Sequence, residues 1–179
     1  MKALLLVVLA VLALPAGATE YLSLRSAQAE LFPAATHFRE QKISLSRAEL
    51  DMVLAEAGSS MRGLRWRQWQ AWRGDELLGH VLSDAMIGKH ELFDYAVAFD
   101  RAGRVQGVRV LTYRETQGGE VRALSWLAQF EGRSAGSPLR VGQGIDNISG
   151  ATLSCKHLTD GIRRLAFYAR RHLATGGGT

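Results

Sequence analysis

The residues best placed to do chemistry in this 179-residue chain lie in one short stretch, Asp146-Asn147-Ile148-Ser149-Gly150-Ala151-Thr152. It reads as a loop feeding a helix. Ser149 is a candidate N-cap, and Gly150 and Ala151 leave the first turn almost bare of side chains. Unpaired amide N–H groups and the positive end of the helix dipole make such a junction a natural anion site. Thr152 adds a hydroxyl on that turn. Lys156 follows one turn later, and helical side chains lean toward the N-terminus, which brings its ammonium toward an anion held there. By itself, the pattern equally describes an ordinary capped helix start. A threonine hydroxyl is a poor nucleophile without a base, and the nearest histidine, His157, is turned away from Thr152 on a helix. The segment offers no evident machinery for modifying itself.

The elements that position this junction are legible in outline. Ala151, Cys155, Leu158, Ile162, Leu165, Ala169 and Leu173 step by three and four, predicting a helix over 151–173 with one apolar stripe. Lys156, Arg163, Arg164, Arg170 and Arg171 fall off that stripe, and Cys155 falls on it as a small buried thiol. Upstream, Phe93, Tyr95, Val97 and Phe99 alternate with Asp94, Ala96, Ala98 and Asp100, the period of a half-buried strand. A turn at 100–103 leads to a second strand from Val105 to Tyr113, and Ala123 to Glu131 reads as a third. Connections this short require antiparallel pairing. Residues 26–57 read as helical, with a capping box at Ser46–Glu49 and a stop at Gly58. Two runs between Leu64 and Ser83 flank Gly74-Asp75 and favour a hairpin, although the Trp spacing of three also fits a helix. The expected fold is α+β: an antiparallel sheet packed against a C-terminal helix, with an N-terminal helical segment. Tyr113, Trp126 and His90 are read as core packing rather than ligand contacts.

Composition narrows the function classes. Apolar residues at 47% and charged residues at 22% are globular values, which excludes disorder. A single cysteine excludes an internal disulfide and any multi-cysteine metal or iron–sulfur site. Met1-Lys2, an apolar run from Ala3 to Leu14 and the small residues Ala16-Gly17-Ala18 have the order of a secretory signal peptide, cleaved near Ala18. The run falls short of the roughly 20 residues that span a bilayer. The mature chain is therefore expected to work in the periplasm. Arg62, Arg65, Arg67 and Arg73 interleave with Trp66, Trp69 and Trp72, a pattern compatible with single-stranded nucleic acid. In an exported protein it reads instead as Trp packed inward and Arg outward, with no nucleic-acid partner.

Asp146-x-x-Ser149-Gly150-Ala151-Thr152 resembles the flavinylation motif of the FMN-binding domain family, which includes the covalent-flavin subunits of sodium-pumping quinone reductase and of Rnf complexes. The resemblance extends to the strand pair at 93–113, the loop Glu115-Thr116-Gln117-Gly118-Gly119 and the closing helix, covering roughly 78–173. It implies that Thr152 carries FMN through a phosphodiester, installed by a separate FMN transferase that uses FAD and a magnesium ion. It further implies that Gly150 and Ala151 give that enzyme access, and that Asp146 either caps the loop or is read by it. Glu115 and Thr116 would lie beside the flavin. Gln117-Gly118-Gly119 departs from the Pro-Gly variant usual in larger relatives, which leaves the ring contacts open.

The expected organisation is a signal peptide over 1–18, a helical segment and hairpin start over 19–77, an FMN-binding domain over 78–175, and a tail over 176–179. With no nicotinamide fingerprint and no haem motif, the expected function is an exported electron-transfer flavoprotein with covalent FMN. Its partners would be the FMN transferase and a membrane-bound reductase or another exported redox protein. Two alternatives stand beside it: a flavin-dependent reductase acting directly on a terminal acceptor, and a cofactor-free periplasmic binding protein.

Overall fold

The computed structural model describes residues 19–58, 66–88, 90–115 and 117–174. The expected signal peptide and C-terminal tail, Arg62 and Arg65 of the basic cluster, and Thr116 lie outside the described residues. A short strand β1 (Thr19–Glu20) is followed by helix α1 (Leu24–Leu31), strand β2 (His37–Gln41) and helix α2 (Arg47–Glu56). Four strands come next: β3 (Arg67–Arg73), β4 (Glu76–Ile87), β5 (Leu92–Asp100) and β6 (Val105–Tyr113). A 3₁₀ turn (Gly119–Arg122), the short helix α3 (Leu124–Leu127) and a second 3₁₀ turn (Ala128–Phe130) lead to two-residue strands β7 (Arg140–Val141) and β8 (Gly144–Ile145). The long helix α4 (Thr152–His172) closes the chain. The sheet order is β1-β6-β5-β4-β3-β2, antiparallel throughout, as the short connections require.

The sheet is buried on both faces. Alternate residues of the central strands explain why: Leu82, Met86, Phe93, Tyr95, Val97 and Phe99 meet α4 through Leu158, Ile162 and Leu165. Val81, Ala96 and Ala98 point the other way, onto Ala27 and Leu31 of α1. The fold is therefore α+β with helices on both faces of the sheet. Cys155 is fully buried on the α4 stripe, and burial pushes its thiol pKa up.

Two expectations are corrected. Residues 26–57 are not one helical segment, because Pro33 follows Phe32. The residue before a proline is pushed out of the helical region, and Phe32 stands at φ −131°, ψ 74°. The freed chain adds β2 to the edge of the sheet before the Ser46–Glu49 capping box starts α2. Residues 123–131 form helical turns rather than a third strand: the buried side chains Trp126, Leu127 and Phe130 are spaced for a helical face. The sheet edge beside β6 is taken by β1 instead. Arg163 and Arg164 are buried although they lie off the apolar stripe, because α4 is covered on more than one side.

Each buried arginine has a reason to be there. Arg163 donates to the carbonyls of Ala57 (2.6 Å) and Leu139 (3.0 Å) and pairs with Asp160 at 3.0 Å, tying α4 to the end of α2 and to the loop before β7. Arg164 pairs with the fully buried Asp84 on β4 at 3.1 Å. The same Asp84 oxygen accepts from Trp66 Nε1 at 2.8 Å and Tyr95 OH at 3.3 Å. Burial, with Asp84 beside it, pushes the Tyr95 phenol well above its ordinary pKa, so it stays neutral. Among the described residues no helix is long and apolar enough to cross a membrane.

Removing one partner of a buried pair leaves an uncompensated charge, at a cost of about 3–5 kcal/mol. Asp84→Ala is expected to lose that much in urea unfolding; an unchanged midpoint would show that the pair does not hold α4 to the sheet. Cys155 is expected to resist a thiol reagent in the native protein and to react fully once unfolded. Rapid native reaction would contradict its burial.

Candidate functional site

The junction ahead of α4 is anchored from behind. Asp146 donates its backbone N–H to Gln129 Oε1 and accepts from Trp126 Nε1 through its carbonyl, both at 2.8 Å. The helical turns of 123–131 are thus what holds the loop, and Trp126 is core, as expected. The Asp146 carboxylate is exposed with no hydrogen-bond partner among the described residues. Ile148 to Ala151 make a tight turn closed by Ala151 N–H donating to the Ile148 carbonyl at 3.0 Å. Its third residue must take positive φ, and Gly150 stands at +83°.

That turn corrects the capping assignment. Ser149 is exposed within it, and the N-cap is Ala151, which has no side chain able to cap. The first-turn amides of α4 therefore have neither an intrahelical acceptor nor a side-chain cap, which leaves them available to an anion. Thr152, the first helical residue, is exposed, and its Oγ1 accepts from Asn147 Nδ2 at 3.1 Å. Sequence reasoning misses Asn147, because nothing in the linear pattern signals that the loop folds back onto the helix start.

Thr152 stands between two clefts. The first, about 430 Å³, is lined by His90, Glu115, Gln117, Gly118 and the segment Gly150–Ser154. The second, about 460 Å³, is lined by Arg140, Gln143, Thr152, Lys156, Asp160 and Arg163. Both lie within the usual range of small-molecule sites, about 300–1,000 Å³. Lys156 belongs to the second cleft, where it pairs with Asp160 at 3.3 Å rather than leaning over the helix start. His157 Nδ1 donates to the carbonyl of Ile87 (2.7 Å), away from Thr152.

The wall of the first cleft is built on close approach. Tyr113 OH donates to the Gln117 carbonyl and is linked to Ser154 Oγ, both at 2.9 Å, which draws the 117–118 loop onto the first turn of α4. Burial raises the Tyr113 pKa, so the phenol stays protonated. Gly118 has φ +77°, and a Cβ there would sit 2.9 Å from Tyr113 OH and 3.3 Å from Ala151 Cβ. Only glycine fits both conditions. Glu115 Oε1 accepts from the backbone N–H groups of His90 and Glu91, so its carboxylate braces the β4–β5 turn while lining the cleft. His90 is exposed on that wall, not packed in the core as expected. Tyr113 and Ser154 lack any periodic signal of a site role, since both also fit core positions.

The arrangement offers an open hydroxyl, unpaired helix amides and a backbone-lined cleft, a set that suits a phosphorylated flat ligand. Comparison with known proteins agrees. One curated relative, a component of the ion-translocating oxidoreductase complex of Stutzerimonas stutzeri, is 37% identical over 118 residues, or 59% of this chain and 52% of the relative. The chain thus spans about half the length of that protein. The sequence profile of the FMN-binding domain matches residues 88–166, which contain both walls of the first cleft and Thr152. Residues 88–166 are thus an FMN-binding domain.

Proposed function

We propose that the chain is an exported electron-transfer flavoprotein that carries FMN covalently, as a phosphodiester on Thr152 Oγ1, and relays electrons between a membrane reductase and an extracytoplasmic acceptor. The observation that carries this reading is the position of Thr152: an exposed hydroxyl on the first residue of an uncapped helix, at the lip of a cleft lined by glycine backbone.

The chain's own residues have definite parts in it. Asn147 orients the Thr152 hydroxyl and leaves its proton directed elsewhere, because the oxygen accepts that bond. Among the described residues Thr152 Oγ1 has no hydrogen bond to a base, which is consistent with attachment by a separate FMN transferase. The exposed Asp146 carboxylate and the bare Gly150-Ala151 turn are then features for that enzyme to read and enter. The first-turn amides of α4 would neutralise phosphate charge. Gly118 and Glu115 would bound the ring on the side away from α4. FMN supplies the redox chemistry when bound, while the protein sets its orientation and exposure. An open cleft suits the small, transient contacts of electron transfer. The relative named above belongs to an ion-translocating complex, which favours membrane-bound partners here too.

Two experiments follow. Protein purified after co-expression with an FMN transferase is expected to gain the mass of one FMN less one water, on the peptide containing Thr152. Thr152→Ala should lose that adduct while its stability changes by no more than about 0.5 kcal/mol, as for an exposed surface site. Flavin surviving denaturation of that variant would refute the assignment. Cell fractionation should place the protein in the periplasm with a mature N-terminus near Thr19; recovery in the cytosol with residues 1–18 intact would refute export.

A further inference from the structure

We propose that the cleft at the opposite end of α4 from Thr152 is a binding site for a small oxyanion. The 21 residues of α4, at about 1.5 Å each, put it about 30 Å from the helix start, so it is no part of the flavin site. The cleft has a volume of about 350 Å³ and lies where β2, β3 and β4 extend past the last turn of α4.

The unexplained group is His80. It is only 4% exposed, it lines this cleft, and neither ring nitrogen has a hydrogen-bond partner among the described residues. Buried polar groups are almost always satisfied, and one that is not calls for a missing partner. Burial holds its pKa below the ordinary imidazole value, so the ring presents one N–H donor and one bare nitrogen.

The neighbours define what the partner must be. Gln70 is directly across from His80 on β3, and Gln68 lies two residues along on the same face. Gln70 Oε1 accepts from Trp72 Nε1 at 3.3 Å; an indole N–H can only donate, so the amide orientation is set. Gln68 Oε1 accepts from Tyr168 OH at 2.8 Å. Both glutamines therefore have their oxygens engaged and their NH₂ groups left to donate. Lys42 adds positive charge at the rim, Ser44 a hydroxyl and His172 an imidazole ring. No carboxylate lines the cleft among the described residues. Glu49, whose charge reaches His172, is engaged by Ser46 in the α2 capping box. Among the lining side chains donors outnumber acceptors, and Lys42 supplies positive charge that offsets the carbonyl end of α4, so the occupant has to supply acceptor oxygens.

Imidazole resonances of the full chain, titrated with inorganic phosphate and separately with citrate at constant ionic strength, test this without reference to flavin. His80 and His172 are expected to shift saturably with either probe, while His37, His90 and His157 do not. Lys42→Glu, an exposed change, and Gln70→Glu, a near-isosteric one, should each weaken binding by roughly tenfold or more, the effect of losing one charge-assisted contact. Parallel drift of all five histidines, no saturable shift at millimolar concentration, or affinity unchanged from the parent protein in both variants would overturn the site. Because the flavin-free protein serves, failure here leaves the reading of Thr152 untouched, and failure of Thr152→Ala leaves this one untouched.

Discussion

The seating of α4 on the sheet is the constraint from which the rest of the structure follows. Its apolar stripe supplies the contact area, but a stripe alone lets a helix slide or rotate. The buried contact between Arg164 and Asp84 removes that freedom, because a guanidinium in the interior cannot move away from its carboxylate without losing both solvation and partner. Arg163 makes a second attachment, to the carbonyls that end α2 and precede β7. With the axis held at its middle, both ends of the helix are placed: the uncapped N-terminus beside the 117–118 loop, and the basic C-terminus over the glutamine-rich edge of the sheet.

The candidate flavin site shows how little of a binding site needs to be made of reactive side chains. Its surfaces are backbone: the turn at Gly150, the loop at Gly118 and the first-turn amides of α4. Side chains mostly hold those surfaces in place. Tyr113 and Ser154 clamp one wall to the other, Trp126 and Gln129 tether the loop at Asp146, and Glu115 braces the turn below. Such a frame offers close approach to a flat ligand and an anion-compatible helix end, while leaving one hydroxyl exposed. It would position a cofactor that brings its own chemistry.

The two ends of α4 also differ in kind. Near Thr152 the polar groups are backbone amides that any anion can meet. Near His80 they are side chains whose orientations are set by one another, Trp72 and Tyr168 turning the glutamine amides toward the cleft. The first end is recognisable from a linear motif; the second is assembled from β2, β3, β4 and α4, and no run of consecutive residues marks it.

That contrast describes what could be read from the sequence. Periodicity sufficed for α4, β5 and β6, because each buries a regular stripe against a continuous partner, and the motif at 146–152 is contiguous. The capping box of α2 was legible for the same reason: its partners are three residues apart. Sequence reasoning fails where partners are distant. Strand β2 exists because β3 offers it an edge after Pro33 breaks the helix. Segment 123–131 is helical because its buried side chains recur at helical spacing and pack against β6 from above rather than pairing with its edge. Arg163 and Arg164 are interior because α2 and β4 bring acceptors to them, and Ser149 does not cap because the Gly150 turn carries the chain past it. Local order was written in the sequence, since propensity and stripe act over a few residues. Which polar groups are buried, and which loops meet the start of α4, only the tertiary structure decided, because the groups that compensate them come from distant parts of the chain.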